Sequence, residues 1–356
     1  MRIMCIIMHL LFVTVLQAAG NKDTVKEDSV KKFGILPVPA FGYTPETGVS
    51  YGAFSLFTFK FYPDSTTRTS SAKTSLEFTT KKQIIFEASW NYFFNNENWF
   101  SRGTIQLSKY PDLYYGIGES TPDSNETKFR SNRSVFEIDF LKRIAEKTFI
   151  GPTVRYKNYG RIEYIEGNHG IFTDLHTSHI FAIGATVISD RRNNILNPQI
   201  GSYGELSLVF NNLDGRWYQY FKIDLRKYYT FSAHTFSVRL LNESVTGNPP
   251  FYDHALFGGD KNSRGYYYGR FRDKNFLTVQ SEYRSPLWWR FGLALFGGLS
   301  KIYPSIENIS ADNLKSNYGV GLRILTDTRE NINLRLDYAI GQNDQDGFYV
   351  YFGESF

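Results

Sequence analysis

Asn331-Ile-Asn-Leu-Arg-Leu-Asp-Tyr-Ala-Ile340 is the stretch on which the fold turns. Side chains alternate across a β-strand. Ile332, Leu334, Leu336, Tyr338 and Ile340 therefore share one face, and Asn333, Arg335, Asp337 and Ala339 the other. A helix would mix the two sets. The same period sets Trp217, Phe221, Ile223 and Leu225 against Lys222, Asp224 and Arg226. It also sets Phe136, Ile138 and Phe140 against Glu137 and Asp139, and Leu277, Val279 and Tyr283 against Thr278, Gln280, Glu282 and Arg284. Helical periodicity is nearly absent. A spanning helix takes about 20 apolar residues, and Phe291–Leu299, the most apolar run after Gly20, is far shorter.

Soluble sandwiches alternate too, so three further features decide the class. The polar faces carry full charges on strand after strand, which suits a wet lumen. Aromatics cluster where strands end, at Trp90, Tyr92, Phe93, Phe94, Trp99 and Phe100, at Tyr228 and Tyr229, and at Trp288 and Trp289, as interfacial girdles do. The sequence closes on Phe348-Tyr-Val350-Tyr-Phe352-Gly-Glu354-Ser-Phe356, which reads as an alternating strand with Phe348, Val350, Phe352 and Phe356 as its closing signal. The expected fold is all-β, a transmembrane antiparallel β-barrel of about sixteen strands, an even number. A mean hydropathy of −0.35 fits, because only alternate residues meet lipid.

The N-terminus points the same way. Met1 and Arg2 precede an apolar run from Ile3 to Leu16, and Ala18-Ala19-Gly20 supplies small residues for cleavage. This predicts a signal peptide over residues 1–20, a disordered polar start over 21–32, and an outer-membrane barrel over 33–356, exported to a Gram-negative-type envelope. Cys5 is the sole cysteine and lies in the leader, which removes disulfide frameworks, thiolate zinc and cysteine nucleophiles from consideration. The leader's only charge is Arg2, so 40 basic residues become 39 against 35 acidic, a balance of +4 with the charges scattered. That is no nucleic-acid footprint.

Short links such as Thr44–Thr47 and Ser285–Leu287 alternate with longer ones over 111–126, 161–175 and 304–315, read as periplasmic turns and outer loops. The connection over 244–273 is much longer, and long links in compact domains tend to be functional. It contains Leu256-Phe-Gly-Gly-Asp260-Lys-Asn-Ser-Arg264-Gly265-Tyr266-Tyr-Tyr-Gly269-Arg270-Phe271-Arg272-Asp273. Here the chain resembles the BamA/TamA family of outer-membrane barrels (bacterial surface antigen type), whose inward-folded loop carries an Arg-Gly-Phe/Tyr motif. Four other stretches agree in order: Gly42–Gly48; Asp190-Arg191 with Asn197-Pro198-Gln199-Ile-Gly201; Glu282-Tyr283-Arg284 with Pro286; and Gly319 to Arg323 with Asp337-Tyr338-Ala339.

Three departures stand beside the resemblance. Assembly members usually carry periplasmic POTRA modules before the barrel, and residues 21–32 leave no room for one, so the expectation is a barrel domain only. The family's F-x-D-x-G pattern appears as Phe296-Gly297-Gly298-Leu299-Ser300, without the aspartate. Glu354 falls on the lipid-facing alternation, where a hydrophobic residue is usual.

The resemblance implies help with insertion or translocation of proteins, with client outer-membrane proteins, periplasmic proteins or lipoproteins as partners besides outer-membrane lipids. The alternative is a passive channel or structural barrel. For the loop, a guanidinium is a rigid, permanently charged fork. Arg264 is expected to lock onto Glu282 or Asp337 in the lumen, with Gly265 turning the backbone and Tyr266 packing on the wall. Pro37 and Pro39 each remove a ladder donor, from the first strand or just before a shorter one. Enzymatic readings are weak: His176 and His179 would face opposite sides of a strand, His234 has no motif around it, and no G-x-S-x-G occurs. No cofactor or metal is expected.

Overall fold

The computed structural model describes residues 33–60, 67–171, 177–328 and 331–356. Sixteen strands form one antiparallel sheet in chain order. They are β1 (Phe33–Thr44), β2 (Gly48–Phe59), β3 (Ser70–Thr79), β4 (Ile84–Phe94), β5 (Trp99–Tyr114), β6 (Thr127–Ala145), β7 (Thr148–Gly167), β8 (Ser178–Asp190), β9 (Gly201–Leu213), β10 (Arg216–Phe231), β11 (His234–Val245), β14 (Asn275–Trp288), β15 (Phe291–Tyr303), β16 (Lys315–Asp327), β17 (Ile332–Ile340) and β18 (Asp346–Phe352). Between β11 and β14 the long loop carries a small antiparallel pair, β12 (Ala255–Phe257) and β13 (Phe271–Asp273), around a one-turn helix α1 (Gly259–Asn262). Among the described residues no helix is long and apolar enough to cross a membrane.

The sheet curls until its ends meet. Tyr43 of β1 and Phe348 of β18 have ring centroids 6.1 Å apart, and a Cβ at Gly42 would sit 3.3 Å from the Val350 carbonyl oxygen. Strand pairing runs unbroken from β1 to β18, while these two end strands touch without a pairing between them among the described residues. β17 and β18 have 9 and 7 residues, against 19 and 20 for β6 and β7, so the closing edge offers few ladder bonds. Pro37 and Pro39 lie inside β1, opposite Ser55 and Ala53. The first strand is thus not shortened past them. Having the same parity, their missing donors belong to one edge, and proline is tolerated where that edge is not paired.

Alternation produces the expected two surfaces. Leu208 and Phe210 on β9 and Leu225 on β10 are exposed outward, while Glu205, Ser207 and Asp224 are buried inward. Leu334 shares the outward phase but is covered, flanked by Ile324 and Phe352 on its paired strands. Trp288 and Trp289 are exposed at the β14–β15 turn, and Lys142 lies over the Trp99 ring, as at a bilayer interface.

Three expectations are corrected. The Thr44–Thr47 turn lies at the same end as the long loops, because strict up-and-down order puts every odd-to-even connection from β1 on one side; the ten-residue 191–200 connection lies at the other. The segment 161–167 is strand rather than loop, since β6 and β7 pair out to Thr127 and Gly167 through bulges at Lys128/Phe129 and Arg130/Asn132. The closing strand stops at Phe352: Phe348 is exposed outward, but Phe356 is buried and Glu354 is turned inward, because Gly353 takes φ +87° and breaks the alternation. The proposed signal peptide, residues 21–32 and His176 lie outside the described residues.

Candidate functional site: the loop seated in the lumen

The 246–274 loop leaves β11, dips into the lumen and returns to β14. Apolar side chains fix its two ends. Phe251 and Tyr252 join Tyr114, Phe129, Ile162 and Leu213 in one buried cluster, and Phe257, Tyr266 and Phe271 join Leu241, Phe276 and Ile302 in another. Asp253 accepts from the Tyr218 hydroxyl at 2.6 Å and from Lys157 at 2.5 Å.

Between those anchors the chain presents Arg264, which is 2% exposed. Its guanidinium donates to Glu282 Oε2 on β14 at 2.8 Å and to Asp337 Oδ2 on β17, and its Cζ lies 3.4 Å from the centroid of the Phe296 ring. The two carboxylates occupy two arms of the fork while the aromatic face covers its plane. Gly265 has φ +98°, and a Cβ there would come 2.9 Å from the Gly341 nitrogen, so the turn after Arg264 needs glycine. Its N–H donates to the Tyr349 hydroxyl at 2.9 Å. The Tyr266 hydroxyl accepts from Gln342 N–H at 2.7 Å and donates to Ser316 O at 2.9 Å. Every residue singled out in the loop thus meets the β14–β18 wall.

Several contributors were not read from the sequence. Arg323 donates to Asp337 at 2.6 Å and to Glu354 at 2.8 Å. Arg335 donates to Asp337 at 3.1 Å and to Asp260 of α1. Arg284 lies 3.6 Å from Glu282 and donates to Asn197 Oδ1 at 2.8 Å and Pro198 O at 2.5 Å. Four guanidinium groups (Arg264, Arg284, Arg323, Arg335) therefore face four carboxylates (Asp260, Glu282, Asp337, Glu354). A balanced cluster offsets the desolvation of each member; an unbalanced one would not persist in this burial. Gly321 makes room, since a Cβ there would fall 2.0 Å from Asp337 Oδ1. The inward phase of Glu282, Arg284, Arg323 and Arg335 was a legible signal, whereas Phe296 and Glu354 needed coordinates.

The loop also reaches the β1–β2 turn and β5, at the same end of the barrel. The Tyr268 N–H donates to Glu46 Oε1 at 2.6 Å, and the Tyr267 hydroxyl donates to Asp112 at 2.9 Å. Burial pushes the Glu46 carboxyl up, against the hydrogen bonds from Thr44 and Tyr268, and burial with the nearby Asp112 charge pushes the Tyr267 phenol well up. Asp190 pairs with Arg192, both contacts at 2.9 Å, while the adjacent Arg191 is exposed. His179 shares a hydrogen bond with Tyr156 at 2.9 Å and His234 one with Tyr283 at 2.8 Å.

The other side of the lumen differs. On β3 and β4 the inward residues Lys73, Ser75, Glu77, Glu87 and Ser89 remain reachable by solvent, Glu87 most of them, while Thr79 and Phe93 near the strand ends are buried. The loop covers the β14–β17 side of the lumen more fully than the β3–β4 side.

An Omp85 superfamily domain matches residues 46–356. The chain belongs to the Omp85 superfamily. Among solved structures it is similar to BamA from Haemophilus ducreyi lacking POTRA domains 1–3, with TM-score 0.61 and 12% identity over 90% of this chain and 70% of that one. It is also similar to CdiB from Acinetobacter baumannii, with TM-score 0.59 and 12% identity over 91% of this chain and 60% of that one. Comparison with curated protein sequences gave no significant match. At that identity the likeness is one of fold. Family and neighbours together point to the outer membrane of a Gram-negative-type envelope and to the class of insertion and translocation barrels.

Proposed function

We propose that this Omp85 barrel assists the insertion or translocation of other proteins at the outer membrane, using the β1–β18 seam as its working edge. Membership of the superfamily sets the class, and the observation that carries the reading is the seam itself: two end strands in contact with no pairing between them among the described residues, one of 7 residues and the other containing Pro37 and Pro39. An unpaired edge is a template for a client strand by β-augmentation. Arg264 keeps the loop seated and the β14–β18 wall rigid beside that edge. Export by a signal peptide over residues 1–20, with 21–32 leading into the barrel, belongs to the same reading, as do client outer-membrane proteins as partners and action without catalysis or cofactor.

The test is a reversible lock. Tyr43→Cys with Phe348→Cys should form a disulfide across the seam and stop client insertion into liposomes, and reductant should restore it. A locked barrel that inserts clients at the parent rate would remove the proposal. A passive channel is the second reading, favoured by the solvent-reached side chains of β3 and β4. It predicts ion conductance that the seam lock leaves unchanged, with no client crosslinked to β1 or β18.

A further inference from the structure

At the long-loop end, two connections from opposite sides of the sheet meet over the seated loop. Residues 115–126 follow β5 and residues 304–314 follow β15, halfway round the strand order. Lys301 on β15 pairs with Glu119 at 2.7 Å, and the Asn313 amide donates to the same carboxylate at 3.2 Å. Toward the seated loop, the Gly118 N–H donates to Arg272 O at 2.8 Å, and Arg270 donates to Thr121 O at 2.8 Å and to Asp123 at 2.7 Å. These bonds fix the walls of a cavity of about 580 Å³, a size usual for small-molecule sites.

Asp273, the last residue of β13, is the buried acid of that cavity, 6% exposed. Among the described residues its carboxylate takes one hydrogen bond, from the Lys274 N–H at 2.7 Å, and no ion pair. Asp253 and Asp260 in the same loop each have a cationic partner. Burial pushes the Asp273 carboxyl up, and the Lys274 bond and nearby His254 offset only part of that. A buried acid this short of donors marks a place for a ligand's own donors. The rest of the lining narrows the ligand. Ser120, Thr121 and Asn308 are neutral donors and acceptors, and Ile117, Pro122 and Pro304 set carbon faces beside them. A cation would meet Lys301 and Arg270, which stand behind Glu119 and Thr121, and an anion would meet Asp273 and Glu119. A neutral polyol meets neither penalty. We propose that this cavity binds a neutral saccharide, free or at the end of a surface glycan, with Asp273 accepting from its hydroxyls and the Ile117 and proline side chains covering its C–H faces. The site needs no client and stands apart from the function proposed above.

Saturation-transfer NMR on the folded protein, in an amine-oxide detergent that carries no sugar, measures it. Glucose, galactose, mannose, rhamnose and N-acetylglucosamine are each titrated to millimolar concentration, and at least one should bind. Asp273→Asn should weaken that binding about tenfold or more, the loss of a hydrogen bond to a charged group. Asn308→Ala, at the exposed rim, should weaken it severalfold, and stands in if the Asp273→Asn protein does not fold. Polysaccharide released from the cell surface separates the two sources: binding tenfold tighter than its constituent sugars supports a surface glycan, and equal binding supports a free sugar. Tetramethylammonium binding where no sugar binds overturns the saccharide. No binding by any of these sugars, or binding that both variants leave unchanged, overturns the site.

Discussion

On β14–β17 the inward side chains Glu282, Arg284, Arg323, Arg335 and Asp337 are all buried, whereas on β3 and β4 Lys73, Glu77 and Glu87 are reached by solvent. Both walls have the same alternation and the same kinds of residue. What separates them is the loop, which brings Arg264 and Asp260 to one wall and nothing comparable to the other. Charge in the sealed half must be matched group by group because water is gone; charge on β3 and β4 keeps part of its contact with solvent and depends less on a match. Loop cover is one route to a buried, matched lumenal cluster; the walls alone build another, where Arg102 on β5 meets Asp139 on β6 at 2.6 Å and Glu205 on β9 at 2.7 Å.

The sharpest way to break that contrast is Arg264→Ala. Removing one partner of a buried charge cluster costs about 3–5 kcal/mol, less where water follows the opened loop. The folded band on gels should then be lost at lower temperature, with new protease cleavage near Tyr266. Arg264→Lys should rescue only part, since an ammonium has no planar fork for Glu282 and Asp337. An outward change tests the barrel beneath the contrast: Leu208→Arg, on the exposed face of β9, should cost roughly 2–4 kcal/mol if near the midplane, whereas Ser89→Arg on the wet inner side should cost far less. Equal costs would contradict the assignment of the two faces.

Glu46 gives a smaller, pH-dependent effect. Its folded carboxyl is raised above 4.5 by burial, so the protonated form is the one the fold prefers. The stability it contributes is full below 4.5 and is lost as pH rises through the raised value. Thermal stability followed over that range should fall less steeply in Glu46→Gln, which keeps an acceptor for the Tyr268 N–H. The smallest effect is expected from Glu87→Gln in the open half, within about 0.5 kcal/mol of the parent by unfolding in urea.

Much of this was legible in the sequence. Period-two patterning predicted about sixteen antiparallel strands, the number in the sheet, because a buried face specifies register strongly. Arg264 and both its carboxylate partners could be named from a motif and from inward phase. Glu354 could not: strand phase extrapolated through Phe352 puts it in lipid, and only the positive φ of Gly353 reverses it. Phe296 was visible only as part of a pattern lacking its aspartate, and its place under Arg264 depends on pairing between β14 and β15. The wetness of β3 and β4 also escaped, since alternation says which residues face inward but not whether a loop covers them.

Thiol labelling of two serines tests the seated loop most directly. Ser263, 0% exposed and bonded to Ser300 at 2.9 Å, lies beneath the latch, while Ser89 faces the open side. Ser89→Cys should react with a polar maleimide in the folded protein at a rate near that of an exposed thiol, and Ser263→Cys at least a hundredfold more slowly. Comparable rates at the two positions would contradict a loop sealed against one wall of the lumen.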